Sequence, residues 1–224
     1  MQLVSLNGNE VIVEKSFWHQ IWENNEIAFH RRQANPLLVK YFNKLNLAEG
    51  ARVFLPLCGK TLDIAWLLDN GYRVVGAELS KLAIQQLFDE LGVQPKISML
   101  GEFEHYQAEN LDILVGDIFE LTDELLGDVD AVYDRAALVA LPEHMRERYT
   151  TQIQRITHDQ QQLLICYDYQ QALLAGPPFA ISQTEVQQHY RANYHITLLA
   201  SIDVDGGLKG KCPALENVWL LQQQ

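Results

Sequence analysis

Residues 52–61 read Arg-Val-Phe-Leu-Pro-Leu-Cys-Gly-Lys-Thr, and residues 73–78 read Arg-Val-Val-Gly-Ala-Glu. Each begins as a short apolar run and ends in a turn or an acid. Between them, residues 61–70 carry a helical pattern that Gly71 closes at the C′ position. Strand, helix and strand at this spacing make a βαβ unit, whose parallel strands are buried on both faces. The alternation continues. Residues 80–91 read as a helix capped by Ser80 and ended by Gly92, and residues 142–156 as another. Residues 111–115, 130–133 and 162–167 are further apolar runs. Residues 97–109 hold extra material read as a small hairpin, and 195–203 with 215–221 as a closing antiparallel pair. Upstream, Ser16 caps a short helix over 16–24 with Trp18 and Trp22 on one face. Asn35 and Pro36 open a second helix over 35–46.

The pattern predicts an α/β chain on a mostly parallel sheet. Such sheets bind ligands beyond the carboxyl ends of their strands. The turns at 57–60, 78–80, 116–118 and 134–136 are therefore where chemistry is expected.

Composition narrows the classes. A chain of 224 residues is one domain's length and buries roughly 70% of its unfolded surface without staples. With 29 acidic and 17 basic residues the net charge is −12, which argues against a general nucleic-acid binder. Cys58, Cys166 and Cys212 lack paired spacing, so a reducing compartment without disulfides is expected. No basic and apolar leader and no run of about 18 apolar residues is present, so a cytoplasmic, non-membrane protein is expected.

The first turn contains Gly59-Lys60-Thr61, as a phosphate-binding loop would. That loop needs a glycine five places earlier, where Phe54 stands, and Pro56 has no N–H to donate. The dinucleotide fingerprint is also missing, since only Gly59 remains of its glycines. A ligand with a ribose but no phosphate needs neither.

Glu78 closes the second strand, where a carboxylate can accept both hydroxyls of a ribose; read alone, it is equally a solvated strand-end acid. Asp117 can accept from an exocyclic base amine while Ile118 lies against the ring, or Gly116-Asp117 is an ordinary turn. Arg135 faces a pocket or serves a structural ion pair with Asp134 or Asp117. Trp18 and Trp22 either pack a core or wall a site. The seven histidines are scattered without ligand spacing, so no metal site is expected. No G-x-S-x-G elbow supports a hydrolase.

Taken together, five segments resemble the thiopurine S-methyltransferase family. They are Phe17-Trp18 with Trp22 and Phe29-His30; Val53 to Lys60; Gly71 with Val74 to Glu78; Gly116 to Phe119; and Asp134 to Pro142. Pro56-Leu57-Cys58-Gly59-Lys60 is the specific part. The resemblance implies a Rossmann-like class I methyltransferase: seven strands, mostly parallel, helices on both faces and an N-terminal helical flap. It implies one domain over 1–224, with 1–47 covering the site and 48–224 as the core. It implies S-adenosyl-L-methionine as cofactor, S-adenosyl-L-homocysteine as product, and a small-molecule thiol acceptor such as a thiopurine. It implies cofactor contacts at Trp22, Leu57, Glu78, Asp117, Ile118 and Arg135, and acceptor contacts at Phe29 and Trp18. Two departures stand out. Ala77 sits where a β-branched residue is usual, and Gly206 to Pro213 lacks the arginine expected near the acceptor.

Methyl transfer from a sulfonium is an in-line displacement that needs alignment, a dry site and a donor for the acceptor anion. Arg135 is expected to orient the acceptor and Asp134 to fix the guanidinium, which makes them the catalytic candidates. A monomer is expected. The rivals are a halide, thiocyanate or selenite methyltransferase on the same fold, a nucleotide-dependent oxidoreductase, and a non-catalytic cofactor-binding module.

Overall fold

The computed structural model describes residues 15–27, 30 and 33–224. Helix α1 is Lys15–Glu23 and α2 is Pro36–Tyr41, followed by a 3₁₀ turn over Phe42–Leu45. Strand β1 (Arg52–Pro56), α3 (Asp63–Asp69), β2 (Arg73–Glu78) and α4 (Lys81–Leu91) form the first βαβ unit and its continuation. A hairpin of β3 (Lys96–Leu100) and β4 (Phe103–Ala108) precedes β5 (Leu111–Val115). Then come α5 (Asp123–Leu126), β6 (Ala131–Arg135), α6 (Glu143–Ile156), β7 (Gln162–Asp168), α7 (Gln183–Tyr190), β8 (Tyr194–Asp203) and β9 (Leu215–Gln223).

The described strands form one sheet in the order β3-β4-β5-β2-β1-β6-β7-β9-β8. The run β5-β2-β1-β6-β7 is parallel throughout. Strand β9 runs antiparallel to both β7 and β8. The sheet therefore has nine strands where seven were expected. The two additional strands are the β3–β4 hairpin, which extends the edge beyond β5 by antiparallel pairing.

Alternation along the strands explains the layers. Phe54, Val75, Leu114, Val132 and Leu164 face one way, against Leu126, Tyr149, Ile153 and Val186 of α5, α6 and α7. Val53, Leu55, Val74, Ile113 and Leu163 face the other, against Leu38 of α2, Ile64 of α3 and Leu87 of α4. Side chains that alternate between two buried faces leave almost no polar position in a central strand, which is why these strands read as apolar runs.

The expected caps form at α2 and α4. The Asn35 side chain accepts from Leu37 N, and Ser80 from Ala83 N. Gly92 ends α4 in the left-handed conformation. The expected division at residue 47 groups α2 with the covering segment, yet Leu37 and Leu38 are seated in the apolar layer. Of the described N-terminal elements, α1 alone lies over the strand ends, against α4. Among the described residues, no helix is long and apolar enough to cross a membrane.

Candidate active site at the carboxyl ends of the strands

The first loop is built around two backbone irregularities. Pro56 ends β1, and Leu57 takes a positive φ of 47°. That conformation is uncommon for a residue with a Cβ, and such outliers concentrate at functional sites. The kink returns Cys58 N to the ladder, where it donates to Ala77 O at 3.1 Å. Gly59 follows at φ 53°, and a Cβ there would stand 3.0 Å from Cζ2 of Trp22. The glycine is thus required twice, by its backbone and by the indole lying on it.

Glu78 ties this loop to the end of β2. Its Oε2 accepts from Gly59 N and its Oε1 from Ser80 N, both at 2.8 Å. Burial pushes the carboxyl pKa above its ordinary value, opposed by the backbone N–H groups of Ser80, Gly59 and Leu79. A carboxylate offers about four lone-pair sites, so two further donors can be accommodated. That is the capacity a ribose diol needs.

Lys60 does not offer its ammonium to a ligand phosphate. Its Nζ bonds Glu90 Oε1 at 2.7 Å, and the side chain is buried. Cys58 is buried, and a Cβ on Gly76 would meet its Sγ at 2.8 Å. Burial, then the neighbouring Glu78 charge, raises the thiol pKa well above its usual value. It is a packed thiol rather than a nucleophile.

A cavity of about 440 Å³ opens at the carboxyl ends of β2 and β5. Its floor is Leu79, Ser80, Val115 and Gly116, at the ends of β2 and β5, and its roof includes His19 and Glu23 of α1. Asp117 stands at the same end. Its Oδ1 accepts from Phe119 N at 3.0 Å, and its Oδ2 pairs with Lys15 at 2.6 Å. Ile118 is buried in the core cluster. Trp22 is buried at 4% exposure, while Trp18 is half-buried and meets Phe17 edge-on at 5.2 Å. Phe29 lies outside the described residues.

Arg135 closes β6 on the face of Tyr133, half-buried. Asp134 does not hold its guanidinium as expected. Neighbours on a strand point to opposite faces, and Asp134 accepts instead from Tyr149 Oη at 2.7 Å and Leu138 N at 3.1 Å. Burial raises its pKa to about 6. On the Arg135 face, Tyr133 donates to Asp63 Oδ2 at 3.0 Å, and Asp63 Oδ1 accepts from Asn35 N at 2.6 Å. These bonds fix the entry of α2 relative to β6.

His30 forms part of the family resemblance, but no role was expected of it. It lies 3.8 Å from Glu90, and its pKa is lowered by burial and then by Lys60, with Arg135 adding to the effect. Nothing in its sequence spacing marks it, because Glu90 and Arg135 come from elements far along the chain. Among the described residues, no cluster of side chains suits a metal ion.

Comparison with known proteins shows the family to which the chain belongs. The family profile described as Thiopurine S-methyltransferase matches residues 13–222. A thiopurine S-methyltransferase of Xanthobacter autotrophicus is 52% identical over 212 residues, covering 94% of this chain and 100% of its own. One of Gluconobacter oxydans is 45% identical over 203 residues, covering 91% and 92%. Among solved structures, the 1,6-didemethyltoxoflavin-N1-methyltransferase of Burkholderia thailandensis, with S-adenosylhomocysteine bound, superposes with a TM-score of 0.63 at 16% identity. It covers 93% of this chain and 87% of its own. At that identity the likeness concerns the fold alone.

Proposed function

Because this chain belongs to the thiopurine S-methyltransferase family, we propose that it moves the methyl group of S-adenosylmethionine to the sulfur of aromatic or heterocyclic thiols such as thiopurines. The observation that carries the reading is Glu78: a buried carboxylate with spare acceptor capacity, bonded to a loop that has no phosphate cradle.

The residues fit the cofactor. Glu78 would accept the ribose hydroxyls. Asp117 would accept the base amine and Ile118 would lie against the ring, with Lys15 giving way at Asp117 Oδ2. The cavity floored by Leu79 and Gly116 is within the size range of small-ligand sites. When bound, S-adenosylmethionine supplies an electrophilic methyl group on a sulfonium.

The chain supplies the rest. Leu57, in its strained turn, and Trp22, seated on Gly59, shape and dry the wall of the site. Aromatic faces also favour a sulfonium by ~0.5–2 kcal/mol. Trp18 and Phe29 would border the acceptor. Arg135, always charged, would hold the acceptor as its thiolate through a charge-assisted hydrogen bond. An acidic thiol arrives ionised, so no general base is demanded. Orientation of the two sulfurs is the largest lever, worth up to ~7–11 kcal/mol in favourable cases.

We place the chain as a cytoplasmic, monomeric, single-domain enzyme, with α1 as the described part of its covering segment and α2 as part of the core. Three buried free thiols suit a reducing compartment. The test is product formation across aryl thiols, selenite and iodide. Methyl thioethers from the aryl thiols alone support the reading; products from iodide or selenite alone replace it with ion methylation.

A further inference from the structure

Asp134 is a buried carboxylate whose work lies away from the pocket. It is 1% exposed, and three donors converge on it: Tyr149 Oη, Leu138 N and Ala137 N. The groups facing it are Tyr149 from α6, Tyr190 from α7 and Cys166 from β7. Among the described residues, no cation is paired with it. A phenylalanine would fill the place of Tyr149 with almost the same volume, and an apolar pair would avoid the cost of burying a charge. Packing alone therefore does not account for the pair.

What the carboxylate grips is the turn that follows Arg135. Ala136 adopts φ 66°, the left-handed region that a Cβ disfavours. Ala137 and Leu138, the next two residues, are the ones whose N–H groups Asp134 holds. The conformation at Ala136 sets how the chain leaves β6, and so fixes the backbone that carries Arg135 on the opposite face.

We propose that Asp134 and Tyr149 are a positioning pair for Arg135, acting through the strand by holding the left-handed turn at Ala136. The proposal rests on the reading that Arg135 works at the transfer site. The ionised carboxylate makes the turn; protonation removes the charge that its three donors address. Activity then has an acid limb that belongs to Asp134, and the Tyr149 hydroxyl holds that limb down by favouring the ionised form.

The experiment measures kcat and KM against pH, from about pH 5.5 to 8, with para-nitrothiophenol, whose thiol stays ionised over that range. Wild type, Tyr149→Phe, Asp134→Asn and Arg135→Ala are compared, with Tm recorded for each. In Tyr149→Phe the acid limb moves up by about one pH unit and kcat falls severalfold, with KM for the methyl donor nearly unchanged. Asp134→Asn flattens the limb and lowers kcat about tenfold. If Asp134→Asn does not fold, Tyr149→Phe carries the test alone. A Tyr149→Phe enzyme with a lower Tm but an unmoved acid limb and full kcat overturns the proposal. Full turnover by Arg135→Ala overturns instead the reading beneath it.

Discussion

The carboxylate of Glu78 holds the backbone of Gly59 from nineteen residues away, accepting its N–H at 2.8 Å. Two strand ends and the first loop are thereby fixed before any ligand arrives. The same oxygens are the ones placed to receive a ribose. Glu78→Ala removes both functions, so cofactor binding should weaken by about 1–3 kcal/mol, the range for losing a hydrogen bond to a charged group. Titration calorimetry with S-adenosylhomocysteine measures this. Unchanged affinity would take Glu78 out of the site.

Gly59→Ala tests the contact above it. The new methyl would stand 3.0 Å from the Trp22 ring on a backbone at φ 53°. Strain at such a φ adds to the clash, so a loss of about 1–3 kcal/mol in stability is expected. Trp22 should shift as well. Denaturant melts give the first quantity, and the tryptophan emission maximum should move toward the red. A variant with wild-type stability and emission would mean that the indole does not rest on this residue.

Arg135→Ala should lower turnover about a hundredfold while leaving Tm within a few degrees, because the side chain has no ion-pair partner among the described residues. Steady-state kinetics with an aryl thiol, run beside a thermal melt, separates the two effects. Kinetics equal to wild type would remove Arg135 from the mechanism.

The pH dependence of stability carries the signature of Asp134. Its pKa is near 6 in the folded chain against an ordinary 3.8. Between those values the folded state keeps a proton that the unfolded state has released. Stability from this residue is therefore greatest below about pH 4 and is lost as pH rises through about 6, by roughly 3 kcal/mol. Asp134→Asn has no such titration. Its Tm relative to wild type should rise from pH 4 to 7; a constant difference would place the pKa elsewhere.

Most of the sheet was legible because double-sided burial leaves continuous apolar runs, as in Val53–Leu55 and Leu163–Ile165. The β3–β4 hairpin was readable as extra material, but its incorporation into the sheet was not, since β3 is largely exposed and its alternating Ile97 and Met99 face solvent rather than a core. Helix α7 was missed because its sequence is mostly polar and buries only Val186 and Tyr190. Its cap, Ser182 accepting from Glu185 N, was a usable signal. The partner of Asp134 was legible in principle: residues 134 and 135 on one strand cannot share a face. The Trp22 contact with Gly59 and the approach of His30 to Glu90 were not legible, because each joins elements that only the tertiary fold brings together.

The central claim is that this site transfers the methyl group of a sulfonium nucleoside to a thiol. The most direct measurement incubates the purified chain with methyl-labelled S-adenosylmethionine and 6-mercaptopurine and follows both products by mass spectrometry. The account predicts labelled S-methyl thioether and S-adenosylhomocysteine in equal amounts. Unlabelled thiol and intact donor, under conditions where the chain is folded, would contradict it.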